Sequence, residues 1–103
     1  MSFLDPTSPA GGTALLDRPQ DAEQATTPWV CVVWNDPVNT MTYVAYIFET
    51  YFGYPRTKAE RLMLQVHRKG RAAVAEGSRE QMETHVTAMH NYGLQSTVEH
   101  RGH

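Results

Sequence analysis

An amide, a carboxylate and an imidazole are the side chains in this sequence best placed to recognise a ligand. Asn35 and Asp36 close an apolar run, Trp29-Val30-Cys31-Val32-Val33-Trp34. His67 lies in a later segment, Leu62-Met63-Leu64-Gln65-Val66-His67-Arg68-Lys69-Gly70. Met63 and His67 are four residues apart, so on a helix they share a face. Acceptors at the rim of a small apolar hollow suit a positively charged amine. Such a set binds a ligand; it contains no group that makes or breaks bonds. Each part alone has a plainer reading, because Asn-Asp is a common turn and a histidine among apolar residues usually sits at a core boundary.

Other chemistries find little support. The five histidines include no H-E-x-x-H pattern, and the one cysteine excludes C-x-x-C, so no metal is expected. His85 and His90 fall on different faces of a helix, and His100 and His103 lie at the chain end. Cys31 sits inside the apolar run, where its thiolate is disfavoured, and reads as a small core residue and not a nucleophile. Paired carboxylates, a phosphate-binding glycine loop and a nucleophile elbow are all missing, and no cofactor is implied. Arg68, Lys69 and Arg71 read as a solvated helix end, where cations suit the macrodipole.

At 103 residues the chain has room for one core. Residues 1–28 hold Pro6, Pro9, Pro19 and Pro28, the pair Gly11-Gly12 and almost no periodic apolar positions. A disordered tail is the expectation there. A folded domain is expected over 29–99 and a frayed end over 100–103. The formal net charge of −2 argues against non-specific nucleic-acid binding. No segment has the length and apolarity of a membrane span, and no secretory signal opens the chain. With a single cysteine, a reducing cytoplasmic setting is expected.

The elements that must position the site follow from periodicity. Trp29 to Trp34 reads as a central, two-sided strand stopped by Asn35-Asp36-Pro37. Asn39 or Thr40 can cap a helix whose stripe is Met41, Val44, Ile47, Phe48, Tyr51 and Phe52, with Gly53 beyond it. A second helix begins at Pro55, with Thr57 and Glu60 at capping-box spacing, buries Ala59, Leu62, Met63 and Val66, and ends at Gly70. A short strand over Arg71–Ala75 follows. Ser78 and Gln81 form an S-x-x-Q box opening a third helix with Met82, Val86, Met89 and Tyr92, closed by Gly93. Leu94, Ser96 and Val98 alternate as the inner face of a last strand. The order β-α-α-β-α-β predicts an α+β sandwich: a three-stranded antiparallel sheet with helices packed on one face.

V-V-W-N-D-P-V-N-T-M-x-x-V, L-M-L-x-V-H-x-x-G, S-x-E-x-x-E-x-x-V-x-x-M and G-L-x-S-T-V-E, from Trp29 to Glu99, resemble the ClpS adaptors. These deliver proteins with destabilising N-terminal residues (N-degrons such as Leu, Phe, Tyr or Trp) to a Clp AAA+ unfoldase and its peptidase. The resemblance implies that Asn35, Asp36 and His67 hold the substrate's α-amino group. It implies a side-chain pocket of Met41, Val44, Ile47, Met63, Val66 and Leu94, with Met41 gating against β-branched first residues. Pro37 and Asn39 fall where contacts to the peptide backbone are expected, and both depart from the family pattern: Pro37 replaces a frequent acidic residue and Asn39 a threonine. Docking to an unfoldase of the ClpA or ClpC type falls on Glu80, Glu83 and His85, the last standing where a basic residue is common. The tail is implied to engage the unfoldase pore. Nothing in the sequence demands more than a monomer. The alternative reading is a general interaction module similar to the ribosomal stalk C-terminal domain, which would have no use for Asn35 and His67 facing one hollow.

Overall fold

The computed structural model describes residues 28–101, so all but the last residue of the tail expected over 1–28 lies outside the described residues, as do 102 and 103. The elements run β1 (Trp29–Trp34), α1 (Met41–Thr50), α2 (Arg56–Lys69), β2 (Arg71–Gly77), α3 (Arg79–Asn91) and β3 (Gln95–His100). The three strands form one antiparallel sheet in the order β2-β1-β3. The expected α+β order and antiparallel pairing are therefore present, with β1 in the middle.

β1 is β-branched or aromatic at all but Cys31 and pairs on both edges, as its composition predicts. Its inward residues Cys31 and Val33 join one buried cluster with Ala72 and Val74 of β2 and residues from all three helices, among them Phe48, Leu62 and Met89. The helices thus cover one face of the sheet. A register shift against β2 between Cys31 and Val32 inserts one extra residue into β2, a β-bulge. Ser96 is the one buried polar side chain among the described residues; its hydroxyl donates to the Val32 carbonyl at 2.8 Å and lies 3.4 Å from the Cys31 sulfur. Burial is tolerated because the group is satisfied.

Capping decides where the helices start. Thr40 caps α1, its hydroxyl accepting from the Tyr43 amide at 3.1 Å. α1 ends at Thr50, and Tyr51 and Phe52 intervene before Gly53. Ser78 and Gln81 make the full reciprocal box at α3, with the Gln81 amide 3.1 Å from Ser78 Oγ and Gln81 Oε1 3.2 Å from the Ser78 amide. The box expected from Thr57 and Glu60 does not form. The N-cap of α2 is Pro55, without a side-chain cap, so Thr57 already lies inside the first turn, past the point where its hydroxyl could serve. Gly70 ends α2 at φ 88°, its amide bonding the Val66 carbonyl at 2.9 Å; a β-carbon there would be strained. β2 reaches two residues beyond the expected Ala75, to Gly77.

The last strand closes the sheet against the start of β1. His100 is the last residue of β3, opposite Trp29, and the Arg101 amide donates to the Pro28 carbonyl at 3.0 Å. Beside this end of the ladder, Glu99 pairs with Arg71 and Arg101 with Glu76.

The Ser78 cap gives a direct test of this local account. Ser78→Ala should lower stability by about 1 kcal/mol in urea titrations, and an unchanged midpoint would show that the box contributes nothing.

Candidate functional site

Asn35 and His67 reach the same end of the molecule through backbone geometry. Asn35 follows the last residue of β1, and its amide donates to the Gly70 carbonyl at 2.9 Å. His67 lies in the last turn of α2, exposed, three residues before that carbonyl. The corner between α2 and β2 is therefore sewn to the corner between β1 and α1.

The turn after β1 is built by Asp36. One of its carboxylate oxygens accepts from the Val38 amide at 3.0 Å, and its carbonyl accepts from the Asn39 amide at 3.0 Å. This is an Asx-type turn, the role short acidic side chains commonly take. Pro37 and Val38 form its exposed tip, Val38 being 84% accessible. Asn35, Asp36 and Pro37 border a cleft of about 440 Å³ shared with Trp34, Gln95 and Thr97.

The six apolar residues divide by depth. Val44, Ile47, Val66 and Leu94 belong to the buried cluster, and Met63 packs against it. Met41, the first residue of α1, is 38% accessible. Of the six, the two methionines lie closest to the surface of the domain. Met63 also borders a groove of about 330 Å³ between α1 and α2, with Ala45 and Tyr46.

Two hydrogen bonds fasten the start of α1 to the turn before β3, and residue spacing carries no sign of them. Asn39 Nδ2 donates to the Gly93 carbonyl at 2.9 Å, and the Tyr43 hydroxyl donates to the Tyr92 carbonyl at 2.6 Å. Both acceptors follow α3, whose last carbonyls have no partner within the helix. A side chain that meets its partner some fifty positions away leaves no periodic trace, which is why only the polar character of Asn39 and Tyr43 could have hinted at it.

On α3, Glu80 and Glu83 are exposed, and Glu83 pairs with Arg79 at 3.0 Å. His85 is half-buried and its Nδ1 lies 2.9 Å from the Tyr51 hydroxyl, with edge-on contacts to the Tyr51 and Phe52 rings. Its ring is thus engaged with the two residues that follow α1. Burial lowers the pKa of His85 below the usual imidazole value and raises that of Cys31, where a weaker opposing effect comes from the Ser96 hydrogen bond. Cys31 is fully buried and is held as a thiol. Among the described residues no three His, Cys, Asp or Glu side chains gather as metal ligands, and no helix is long and apolar enough to cross a membrane.

Residues 24–97 match the family model described as ATP-dependent Clp protease adaptor protein ClpS. The chain belongs to the ClpS family. A ClpS adapter from Streptomyces avermitilis is 61% identical over 72 residues, covering 70% of this chain and 69% of the relative. One from Rhodococcus jostii is 46% identical over 102 residues, covering 97% and 91% respectively. The fold is similar to that of Agrobacterium tumefaciens ClpS2 bound to L-phenylalaninamide, with a TM-score of 0.69 at 22% identity, over 73% of this chain and 98% of that one. Members of this family are adaptors of the Clp protease and not enzymes.

The buried histidine makes stability depend on pH. A His85 pKa held below its unfolded value means the unfolded chain takes up the proton first, so its contribution is complete above about pH 6.5 and is lost as pH falls toward the depressed folded value. The stability difference between pH 7.5 and pH 5.5, read from urea titrations, should shrink in His85→Gln; an equal difference in both proteins would refute the assignment.

Proposed function

We propose that this adaptor binds the free N-terminus of proteins beginning with Leu, Phe, Tyr or Trp and hands them to a Clp unfoldase. The observation that supports this reading is the Asn35–Gly70 hydrogen bond, which ties the corner that carries Asn35 and Asp36 to the end of α2, three residues beyond His67. The small molecule bound by the similar ClpS2 structure is consistent with it, since L-phenylalaninamide carries a free α-amine and a benzyl side chain.

An α-ammonium has three donors in tetrahedral array. The Asn35 carbonyl oxygen, a ring nitrogen of His67 and a water held by the second oxygen of Asp36 would meet them. An acetylated or internal nitrogen cannot, and would leave acceptors desolvated and unpaired, the costly case. The first side chain would enter between Met41 and Met63, against Val44, Ile47, Val66 and Leu94. Burying a Leu or Phe contributes about 1.5–3 kcal/mol and each charge-assisted hydrogen bond about 1.5–3 kcal/mol. Net of association costs, micromolar binding follows, weak enough for release. Methionine walls are pliable, so large unbranched and aromatic residues can share one pocket. Past the first residue, Pro37 and the Asn39 oxygen would border the peptide backbone.

Delivery needs a second surface. The exposed carboxylates Glu80 and Glu83 on α3 would meet a basic patch on an unfoldase of the ClpA or ClpC type. His85 would act there indirectly, through its contact with Tyr51.

Fluorescence anisotropy with a Phe-initiated peptide tests the amine cage. N-acetylation and Asn35→Ala should each weaken binding by about tenfold or more, the equivalent of one lost charge-assisted bond. Equal affinity for the acetylated peptide would end the proposal. Replacing both Glu80 and Glu83 by Lys should leave peptide affinity intact while abolishing adaptor-dependent degradation by the Clp protease; undiminished degradation would remove α3 from the docking surface.

A further inference from the structure

Tyr43 stands outside the amine site and the docking carboxylates, yet it makes one of the shortest hydrogen bonds in the structure. Its hydroxyl donates to the Tyr92 carbonyl at 2.6 Å, and Asn39, one residue before the cap of α1, donates to the adjacent Gly93 carbonyl at 2.9 Å. On one side of this fastening, within the first turn of α1, is Met41. On the other, directly after Gly93, is Leu94, buried and held by the bond from its amide to the Met89 carbonyl at 2.9 Å.

We infer that Tyr43 is a positioning residue that fixes the gap between Met41 and Leu94 and so sets which first side chains the pocket admits. The inference rests on the amine-pocket reading above and deepens it. Three features of the arrangement favour it. A peptide carbonyl just past a helix end would otherwise turn to water, so the Tyr43 hydroxyl supplies a partner without displacing a backbone bond. The hydroxyl is carried on a rigid ring, so the bond transmits position and not merely proximity. The fastening is doubled, because Asn39 and Tyr43 grip successive carbonyls from both sides of the Thr40 cap, which leaves the first turn of α1 little freedom to slide or tilt.

A fixed gap discriminates by shape. A β-branched side chain is widest next to the backbone, at the mouth, whereas Leu and Phe are narrow there and broaden deeper. Letting the first turn of α1 drift from Leu94 therefore relaxes the mouth more than the floor, whose residues Val44, Ile47 and Val66 lie in the core. Removal of the Tyr43 hydroxyl should cost selectivity more than affinity.

The experiment is anisotropy on the full chain with four peptides identical except for a first residue of Leu, Phe, Ile or Val. Wild type should prefer Leu over Ile, and Tyr43→Phe should lower that ratio by at least about threefold, a fraction of what pocket shape alone can supply, chiefly through tighter binding of Ile and Val. Ser78→Ala is the control: it weakens the fold at a cap remote in sequence from α1 and should leave the ratio alone. An unchanged ratio in Tyr43→Phe, a uniform loss for all four peptides, an equal shift in Ser78→Ala, or a wild type that takes Ile as readily as Leu would each overturn the positioning role. A wild type that binds none of the four overturns the amine-pocket reading and this one with it, whereas wild-type selectivity unaltered in Tyr43→Phe overturns this one alone.

Discussion

A single backbone hydrogen bond, from the Asn35 amide to the Gly70 carbonyl, joins the two corners on which the site depends. It can form because Gly70 adopts a left-handed conformation, which turns α2 directly into β2 without a loop. With no loop, Arg71 pairs at once with Trp34, and the register of the whole β1–β2 ladder is counted from that corner. Any longer connection would let His67 and Asn35 drift separately. The polar groups proposed to hold the amine lie at or just beyond the ends of rigid elements, where strand pairing fixes the backbone that carries them.

The same corner explains why the apolar side of the site resembles core. Val66 is at once the acceptor for the Gly70 amide and a member of the buried cluster. The pocket proposed above would be shaped at its floor by close packing, which is stiff, while Met41 and Met63, unbranched and near the surface, would adapt. Stiff floor and pliable mouth is a division suited to accepting several side chains while excluding some shapes, and no acid, base or nucleophile is needed for it. Cys31, the one potential nucleophile in the core, is sealed at the centre of the sheet with its pKa raised by burial.

Much of this was legible in the sequence because the signals were local. The β1 run, the Ser78–Gln81 box, the alternation of Leu94, Ser96 and Val98, and glycine at the end of α2 each depend on neighbours within a few positions. The amide, carboxylate and imidazole were legible as types, and Gly70 fixed where one corner would fall. What was not legible depended on contacts over long separations: Tyr43 with Tyr92, Asn39 with Gly93, and Tyr51 with His85. Thr57 and Glu60 misled for the opposite reason. Their spacing satisfies the box, but Pro55 pre-sets the chain for helix entry and starts α2 too early for Thr57 to cap it. Composition at His100 and Arg101 likewise says nothing of Trp29 and Pro28, the partners they meet across the sheet.

One puzzle in the sequence resolves only in three dimensions. β1 is apolar on both faces, although helices cover just one. Val30 and Val32 are buried yet point away from the helix-side cluster. On that face Arg71, opposite Trp34, reaches across β1 to Glu99, opposite Val30, while Arg101 reaches Glu76. Trp34 lies under the Arg71 guanidinium, 4.8 Å from its ring, and donates to Thr97 at 2.9 Å. Exposed ion pairs contribute little as charge pairs, but the hydrocarbon stems of two arginines laid across a central strand exclude water from it. Because Arg71 is the first residue after Gly70, this lattice also braces the corner from the side opposite the helices. The open face of the sheet is thus tied to the same constraint as the site, and the apolar length of β1 is what makes both possible.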